Sequence, residues 1–395
     1  VSDAMVLTLR TRIAVAAQRA LLRVAYPLNR ALRRQERGTA SWVVGPHEIA
    51  AMVYKIAAAV PSSHSVSMGR HKFYDYPYDS ELPISGIGRH IRAPLLLARL
   101  MNRAAGFIYV GASGFLLDTA DQREFEFGYL RRHGRKIVCI FTGDDIRAPR
   151  LMAELVAEHG RENIVGHYGE NEALFQSDGY DRLKRRIAAV ADRFADAIVN
   201  PPVDQRSYLT RHMEPFTYFL PDDYFERAIA KFDSYDPVVI VHAPSSAAIK
   251  GTALVRDAIE RLRAEGYSID YRELTQAANR TVRDNLRDAH LVLNQFYGYM
   301  PGVFGIEAMA VCCAMLTSAD PALEPSLAPG ADRAWLMTTH DRVYENTKAL
   351  LDDPAGARQL ALEGYQWTLK NESASASGAK LRRLLDDVLA GRYRS

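Results

Sequence analysis

At 395 residues the chain exceeds one typical hydrophobic core and fits two domains. Charged residues make up 25% and hydrophobic residues 48%, a globular mix, and a net charge of +3 excludes a chain built throughout to bind nucleic acid. Three cysteines, Cys139, Cys312 and Cys313, lie in apolar runs without metal-ligand spacing, which predicts buried thiols in a reducing, cytoplasmic setting. No apolar run is long enough to span a bilayer, and no signal peptide is read.

The charge is uneven. Residues 1–37 hold eight arginines against Asp3 and Glu36. Residues 5–34 read as a helix, with Leu9, Ile13, Ala17, Leu21, Val24, Leu28 and Leu32 spaced by three or four and arginines on a second stripe. Pro27 is expected to kink it. Such a basic amphipathic helix suits an anionic membrane surface, here the inner face of the plasma membrane. It suits equally a helix packed on its own domain or an arm to a partner subunit.

From residue 41 short apolar runs alternate with helical segments. The strands read are 41–45, 64–69, 106–111, 136–141 and 196–201; the helices are 47–60, 93–104, 123–134 and 180–195. A tyrosine-rich loop at 72–79, with His71, is a candidate acceptor groove or simple packing. Residues 201–236, rich in proline, read as a connector. A second unit runs from strand 237–243 through helix 248–266, strand 268–274, helix 279–288, strand 289–296, helix 306–312, strand 313–318 and helices 341–352 and 355–369. A last helix, 379–391, follows a Ser/Ala patch at 372–378. Strands alternating with helices predict two parallel, doubly wound α/β domains with a ligand cleft at their carboxyl edges.

"GYMPGVFGIEAMAV", residues 298–311, crowds three glycines and one carboxylate into an apolar stretch. Glycine weakens strand and helix interiors, so it marks a turn or a close approach by a ligand. The stretch reads as a loop entering a helix with Glu307 in or near the first turn, where free N–H groups and the helix dipole suit phosphate.

"VVIVHAPSSAAIKGT" followed by "LVLNQFYGYMPGVFGIEAMA" resembles the donor-binding domain of the family-four, GT-B-type glycosyltransferases, and "WVVG" with "IFTGDDIR" resembles their acceptor domain more loosely. The resemblance covers residues 38–395. It implies a GT-B architecture following the basic N-terminal helix of residues 1–37: an acceptor-binding Rossmann-like domain at 38–215 joined by a crossing helix at 370–395, and a nucleotide-sugar domain at 216–369. It implies a retaining transferase with no cofactor and no metal, whose partners are a nucleotide-sugar donor and a glycan, lipid-linked or small-molecule acceptor, not nucleic acid. Lys250 matches the lysine that neutralises the donor diphosphate, Glu307 the second glutamate of a paired motif that holds the ribose, and Gly302, Val303 and Phe304 the loop over the diphosphate. The chemistry agrees, because a lysine and fixed N–H donors stabilise a diphosphate leaving group without a metal. Outside that pairing, a lysine before glycine is often only solvated and a glutamate at a helix start only a dipole partner.

Four positions depart from the family pattern. Tyr299 stands where the first glutamate falls and is read as a contact to an unusual donor. Ser245, Ser246, Ala247 and Ala248 occupy the stretch of an absent arginine. Thr142 replaces a histidine, and Cys312 and Ala314 replace glycine and proline. Arg147 is a candidate replacement cation or a surface arginine paired with Asp144 or Asp145. Asp145 is taken to face the acceptor, the alternative being a turn cap, and Gly45 to permit close approach at the tip of the first strand. The expected activity is transfer of a sugar from a nucleoside diphosphate. Coupling of a non-sugar nucleotide donor, or an inactive scaffold of the same fold, stand as alternatives.

Overall fold

The computed structural model describes residues 8–32, 42–69, 74 and 76–393. Ser41, His71 and the ends of the first expected helix lie outside the described residues.

The first lobe contains α1 (Leu9–Leu32), β1 (Trp42–Pro46), α2 (Met52–Ala59), β2 (His64–Met68), β3 (Ser80–Leu82), α3 (Ile87–Met101), β4 (Gly106–Val110), α4 (Glu124–Arg132), β5 (Lys136–Ile140), α5 (Pro149–His159), α6 (Glu172–Phe175), α7 (Asp178–Phe194) and β6 (Ala197–Val199). Its strands pair in parallel in the order β3-β2-β1-β4-β5-β6. Every strand residue of β1 and β4 is buried, so residues alternate between two cores rather than between core and water. Val43, Phe107, Tyr109, Ile137 and Cys139 pack with α1, α3, α4 and α7. Val44, Ile108, Val110, Val138 and Ile140 face the other way, toward α2.

The second lobe contains β7 (Val238–His242), α8 (Ala247–Lys250), α9 (Thr252–Ala264), β8 (Ile269–Glu273), α10 (Asn279–Asp288), β9 (Leu291–Leu293), α11 (Gly302–Met309), β10 (Ala314–Thr317), α12 (Ala331–Ala334), β11 (Leu336–Met337), α13 (Val343–Asp352), α14 (Pro354–Glu372) and α15 (Ala374–Leu389). Its parallel sheet has the order β11-β10-β9-β7-β8. Chain order reverses between β7 and β9, which are paired neighbours through Ile240 with Leu291 and Val241 with Val292. Loops leaving two such strands diverge, so a crevice opens above their carboxyl ends.

The two lobes share one apolar core. Met52, Val53 and Ile56 of α2 pack in the same cluster as Met300, Ile306 and Met309 of the second lobe, with Trp335, Trp367 and Leu381. The chain crosses between lobes beside Ser373: Leu220 N–H donates to Glu372 O at 2.7 Å and Ala374 N–H to Leu220 O at 2.6 Å. Ser373 Oγ accepts from Ala376 N–H and caps α15, which returns to the first lobe, where Arg382 donates to Ala59 O at 2.7 Å. The last helix, expected at 379–391, therefore starts inside the Ser/Ala patch, at Ala374.

Several expected elements shift. The helix expected at 47–60 begins only at Met52, because Ala50 and Ala51 take positive φ. The helix expected at 248–266 is broken at Gly251, whose φ of +72° ends α8 and opens α9. The helix expected at 306–312 starts at Gly302, which puts Glu307 in its second turn. Helix α1 runs through Pro27. It buries Val15, Gln18, Leu22, Ala25 and Tyr26, not the stripe read from sequence; Leu9, Ile13, Val24, Leu28 and Leu32 of that stripe are exposed.

Candidate functional site

The crevice between the lobes holds a cavity of about 410 Å³. Three segments of the second lobe form one wall. Lys250 ends α8 and is followed by Gly251, whose left-handed backbone turns the chain into α9 at once. Gln295, just past β9, accepts from Lys250 Nζ and donates through Nε2 to Met300 O, so one amide fixes both the ammonium and the loop before α11. Gly302 opens α11 with a φ of +68°, and a Cβ there would stand 3.8 Å from Lys250 Nζ and 3.9 Å from Gln295 Oε1. The lysine and the N-terminus of α11 thus meet at the cavity. Pro301 at the N-cap offers no side-chain acceptor, and Gly302 N–H donates instead to Tyr218 Oη at 3.0 Å. Burial lowers the Lys250 pKa to about 8, with Asp204 opposing and Arg147 adding to the fall. Ser245, Ser246 and Val303 also line the cavity.

The opposite wall follows β5. Thr142, Gly143, Asp144 and Arg147 line it. Asp145 does not offer its carboxylate to the cleft, contrary to expectation. It accepts from the backbone N–H groups of Thr142, Gly143 at 2.8 Å and Ile146 at 3.0 Å, and so caps the turn. Lys184 of α7 donates to the carbonyls of Asp144 and Asp145 and holds the turn from below. Arg147 is buried and bound to Asp144 and to Asp204, by Nε to the Asp204 carbonyl at 2.7 Å and by NH2 to Oδ2 at 2.9 Å. Burial works to lower its pKa, but Asp144 and Asp204 outweigh it and the net shift is upward. Arg147 lines the site as a neutralised ion pair rather than a spare cation. Asp204 also accepts at Oδ1 from Tyr299 N–H at 2.7 Å and Met300 N–H at 3.2 Å, tying the first wall to the loop of the second.

Besides Asp145, four expected site residues stand apart from the cavity lining. Glu307 is buried against the first lobe: Asn279 Nδ2 lies 3.0 Å from each carboxylate oxygen, and Lys55 Nζ of α2 stands 3.9 Å from Oε1. Both oxygens face protein groups, which corrects the reading of a carboxylate open to ribose. Tyr299 is 1% exposed and packs with Met152, Leu155, Ile164 and Tyr168, with Arg161 over its ring at 5.5 Å, so its side chain is turned from any donor. Gly45 is required because a Cβ would overlap the Val66 carbonyl of β2, a packing reason rather than ligand approach. Phe304 packs against the cluster formed by Val239, Val241 and α10.

The two motif glycines have different causes. Gly302 sits in a left-handed conformation at the cavity wall. Gly305 is inside α11, where a Cβ would meet Asn294 Nδ2 and Met315 Sδ at 2.7 Å. Sequence reading missed Lys55, Asp204, Tyr218, Asn279 and Gln295. Lys55 did leave a signal, a lone charge inside the apolar "MVYKIAAAV"; Asp204 and Tyr218, in the proline-rich connector, left none.

No protein-family model and no curated protein matches the sequence. Among solved structures the chain is similar to sucrose-phosphate synthase from Thermosynechococcus elongatus, with a TM-score of 0.51 at 15% identity over 86% of this chain and 92% of that one. It is also similar to an alpha-glucosyltransferase in complex with UDP and a 13-mer DNA, with a TM-score of 0.52 at 10% identity over 82% and 90% of the two chains. The likeness runs through both lobes. The chain has the two-domain, Rossmann-like GT-B fold.

Proposed function

We propose that this chain is a retaining, metal-independent glycosyltransferase that moves a sugar from a nucleoside diphosphate to a glycan, lipid-linked or metabolite acceptor. The observation that carries the reading is the meeting of Lys250 Nζ with the N-terminus of α11 at the inter-lobe cavity, where Tyr218 Oη holds the first N–H. As the bond from sugar to diphosphate opens, negative charge collects on the phosphate oxygens. A half-buried ammonium and oriented backbone N–H groups stabilise that charge more than they stabilise the ground state. Gln295 keeps the ammonium at the helix terminus, and Gly302 leaves the space a phosphate oxygen needs. Thr142 and Asp144, across the cavity, belong to the acceptor side. The retaining outcome and the absence of a metal rest on the resemblance of residues 238–250 and 291–310 to family-four enzymes.

Glu307 has a different part here from the one the family pattern implies. Its carboxylate joins the lobes through Lys55, and the ribose is held by other groups of the cavity while that contact persists.

Calorimetry with UDP, GDP and dTDP, followed by donor hydrolysis across a panel of nucleotide sugars, tests the proposal. The expected result is binding of one nucleotide, turnover of its sugar conjugate, and loss of both in Lys250→Ala. Absence of any nucleotide binding overturns it.

A further inference from the structure

The described residues contain thirteen exposed large aliphatic side chains, and nine of them lie on α1, on α3 or in the turn just before α3: Leu9, Ile13, Val24, Leu28, Leu32, Ile84, Ile87, Ile91 and Leu95. Helix α1 already buries one face on its own domain, so these residues are a second apolar face with no partner among the described residues. On α3, Ile87, Ile91 and Leu95 are spaced by four and form a single stripe.

Topology places the two stripes side by side. Arg19 and Arg23 of α1 sit over the ring of Phe125 on α4, at 4.7 and 5.1 Å, and Arg19 binds Asp121 at 2.7 Å. The arginine flank of α1 therefore faces α4, and its apolar sector faces outward and toward α3. Leu117 N–H donates to Gln18 Oε1 in the loop after β4, whereas Asn102 Nδ2, past the end of α3, donates to Tyr26 O. Helix α1 thus runs from the carboxyl edge of the sheet to its amino edge, the same way as α3. The Leu9, Ile13, Ile84 and Ile87 end of the patch lies at the edge that faces the cleft.

The charge around the patch has one sign. Helices α1 and α3 carry eight arginines and no carboxylate, and Arg10, Arg12, Arg23, Arg30, Arg92 and Arg99 are exposed. Acids near it include Glu81 on β3, Asp118, whose charge acts on Arg89 of α3, and Asp121, bound to Arg19. A second copy of the chain is a poor occupant. A two-fold interface brings the same patch against itself, and arginines would then meet arginines. An anionic lipid surface answers both features, taking the aliphatic side chains among its acyl chains and the guanidinium groups among its phosphates. No helix among the described residues is long and apolar enough to cross a membrane, so the contact is with the surface.

We propose that α1 and α3 together form a docking face for an anionic lipid bilayer, with the cleft-side end of the patch at the membrane. The inference does not depend on the reaction proposed above.

Co-sedimentation of the full chain with vesicles of phosphatidylcholine plus phosphatidylglycerol, and with vesicles of phosphatidylcholine alone, tests it. The expected result is binding to the anionic vesicles only, weakened by added salt. Ile13→Ser with Ile87→Ser and Ile91→Ser should abolish it. Arg12→Gln with Arg30→Gln and Arg92→Gln should weaken it by roughly a hundredfold. All six positions are exposed, and circular dichroism confirms that each variant is folded. Equal sedimentation with and without anionic vesicles overturns the proposal. So does a concentration-dependent dimer that the isoleucine substitutions dissolve, because the face then belongs to a second copy.

Discussion

Lys55 Nζ stands 3.9 Å from Glu307 Oε1, one on α2 of the first lobe and the other on α11 of the second, with side-chain exposures of 1% and 3%. No hydrogen bond reaches the Lys55 ammonium among the described residues. Burial pushes the Glu307 carboxyl up and the Lys55 ammonium down, and each partner's charge resists the other's shift. A buried pair with such incomplete bonding adds little net stability, while each fully buried Met, Val or Ile side chain contributes about 1.5–3 kcal/mol. The lobes are therefore held by Met52, Val53 and Ile56 against Met300, Ile306 and Met309, and the ion pair fixes which residues face each other.

That division predicts a specific pattern in urea unfolding. Lys55→Met and Glu307→Gln should each destabilise the chain by about 3 kcal/mol, because each strands the other group in the interior. Lys55→Met combined with Glu307→Gln should recover most of the loss. A double variant as unstable as the sum of the single ones would show that the two groups are not coupled.

Lys250 should give nucleotide binding a pH dependence. The group binds diphosphate in its charged form, and burial sets its pKa at about 8 in the free protein. Affinity is then full below about pH 8 and falls by up to about tenfold per pH unit above it. Lys250→Met should bind weakly with a flat profile over the same range. Titration calorimetry of a nucleoside diphosphate against both proteins reads this directly; parallel profiles would remove Lys250 from the phosphate site.

Gly302→Ala and Gly305→Ala should fail in different ways. At Gly302 the left-handed φ of +68° costs an alanine about 1–2 kcal/mol, and the new methyl stands 3.8 Å from Lys250 Nζ, so nucleotide affinity falls together with stability. At Gly305 the methyl meets Asn294 and Met315 at 2.7 Å, an overpacking that costs about 1–3 kcal/mol while the cavity wall keeps its shape. Denaturation paired with calorimetry separates the two, and an affinity loss confined to Gly305→Ala would reverse the assignment.

Glu372, at the crossing between lobes, is 4% exposed and accepts from Tyr218 N–H at 2.8 Å. Burial raises its pKa from 4.5 to about 7. A carboxyl raised in the folded state binds its proton more tightly there than in the unfolded chain. Its contribution to stability is therefore complete below about pH 4.5 and is lost as pH rises through 7. Glu372→Gln keeps an acceptor for Tyr218 and cannot ionise, so the variant should gain on the parent by up to a few kcal/mol as pH rises from 5 to 8. Melting curves that shift in parallel across that range would rule this out.

Much of the architecture was legible because parallel α/β sheets bury their strands on both faces. The apolar runs at 106–111, 136–141 and 237–243 could be little else once helices were read between them. Lys250 and Gly302 were legible for a related reason: each falls a short way past a strand, at the end of α8 and the start of α11, and the motif glycines announce an unusual backbone. Asp204 and Tyr218 were not, since a proline-rich connector gives no periodicity to follow. The stripe of α1 shows the limit from the other side. Its spacing is correct for a helix, but spacing cannot say which of two apolar faces meets the domain.

The order of residues alone settled the two sheets, most of the helices between them, and the placing of an ammonium and a glycine-rich stretch after two of their strands. These follow from local periodicity and backbone preference, which act over a few residues. Only the folded molecule decided that Glu307 would turn to Lys55, that Asp145 would cap its own turn, and that Tyr299 would leave the cleft. For Glu307 and Tyr299 the outcome depends on what a partner more than a hundred residues away presents to the side chain, whereas Asp145 is claimed by the N–H groups of its own turn once that turn has formed.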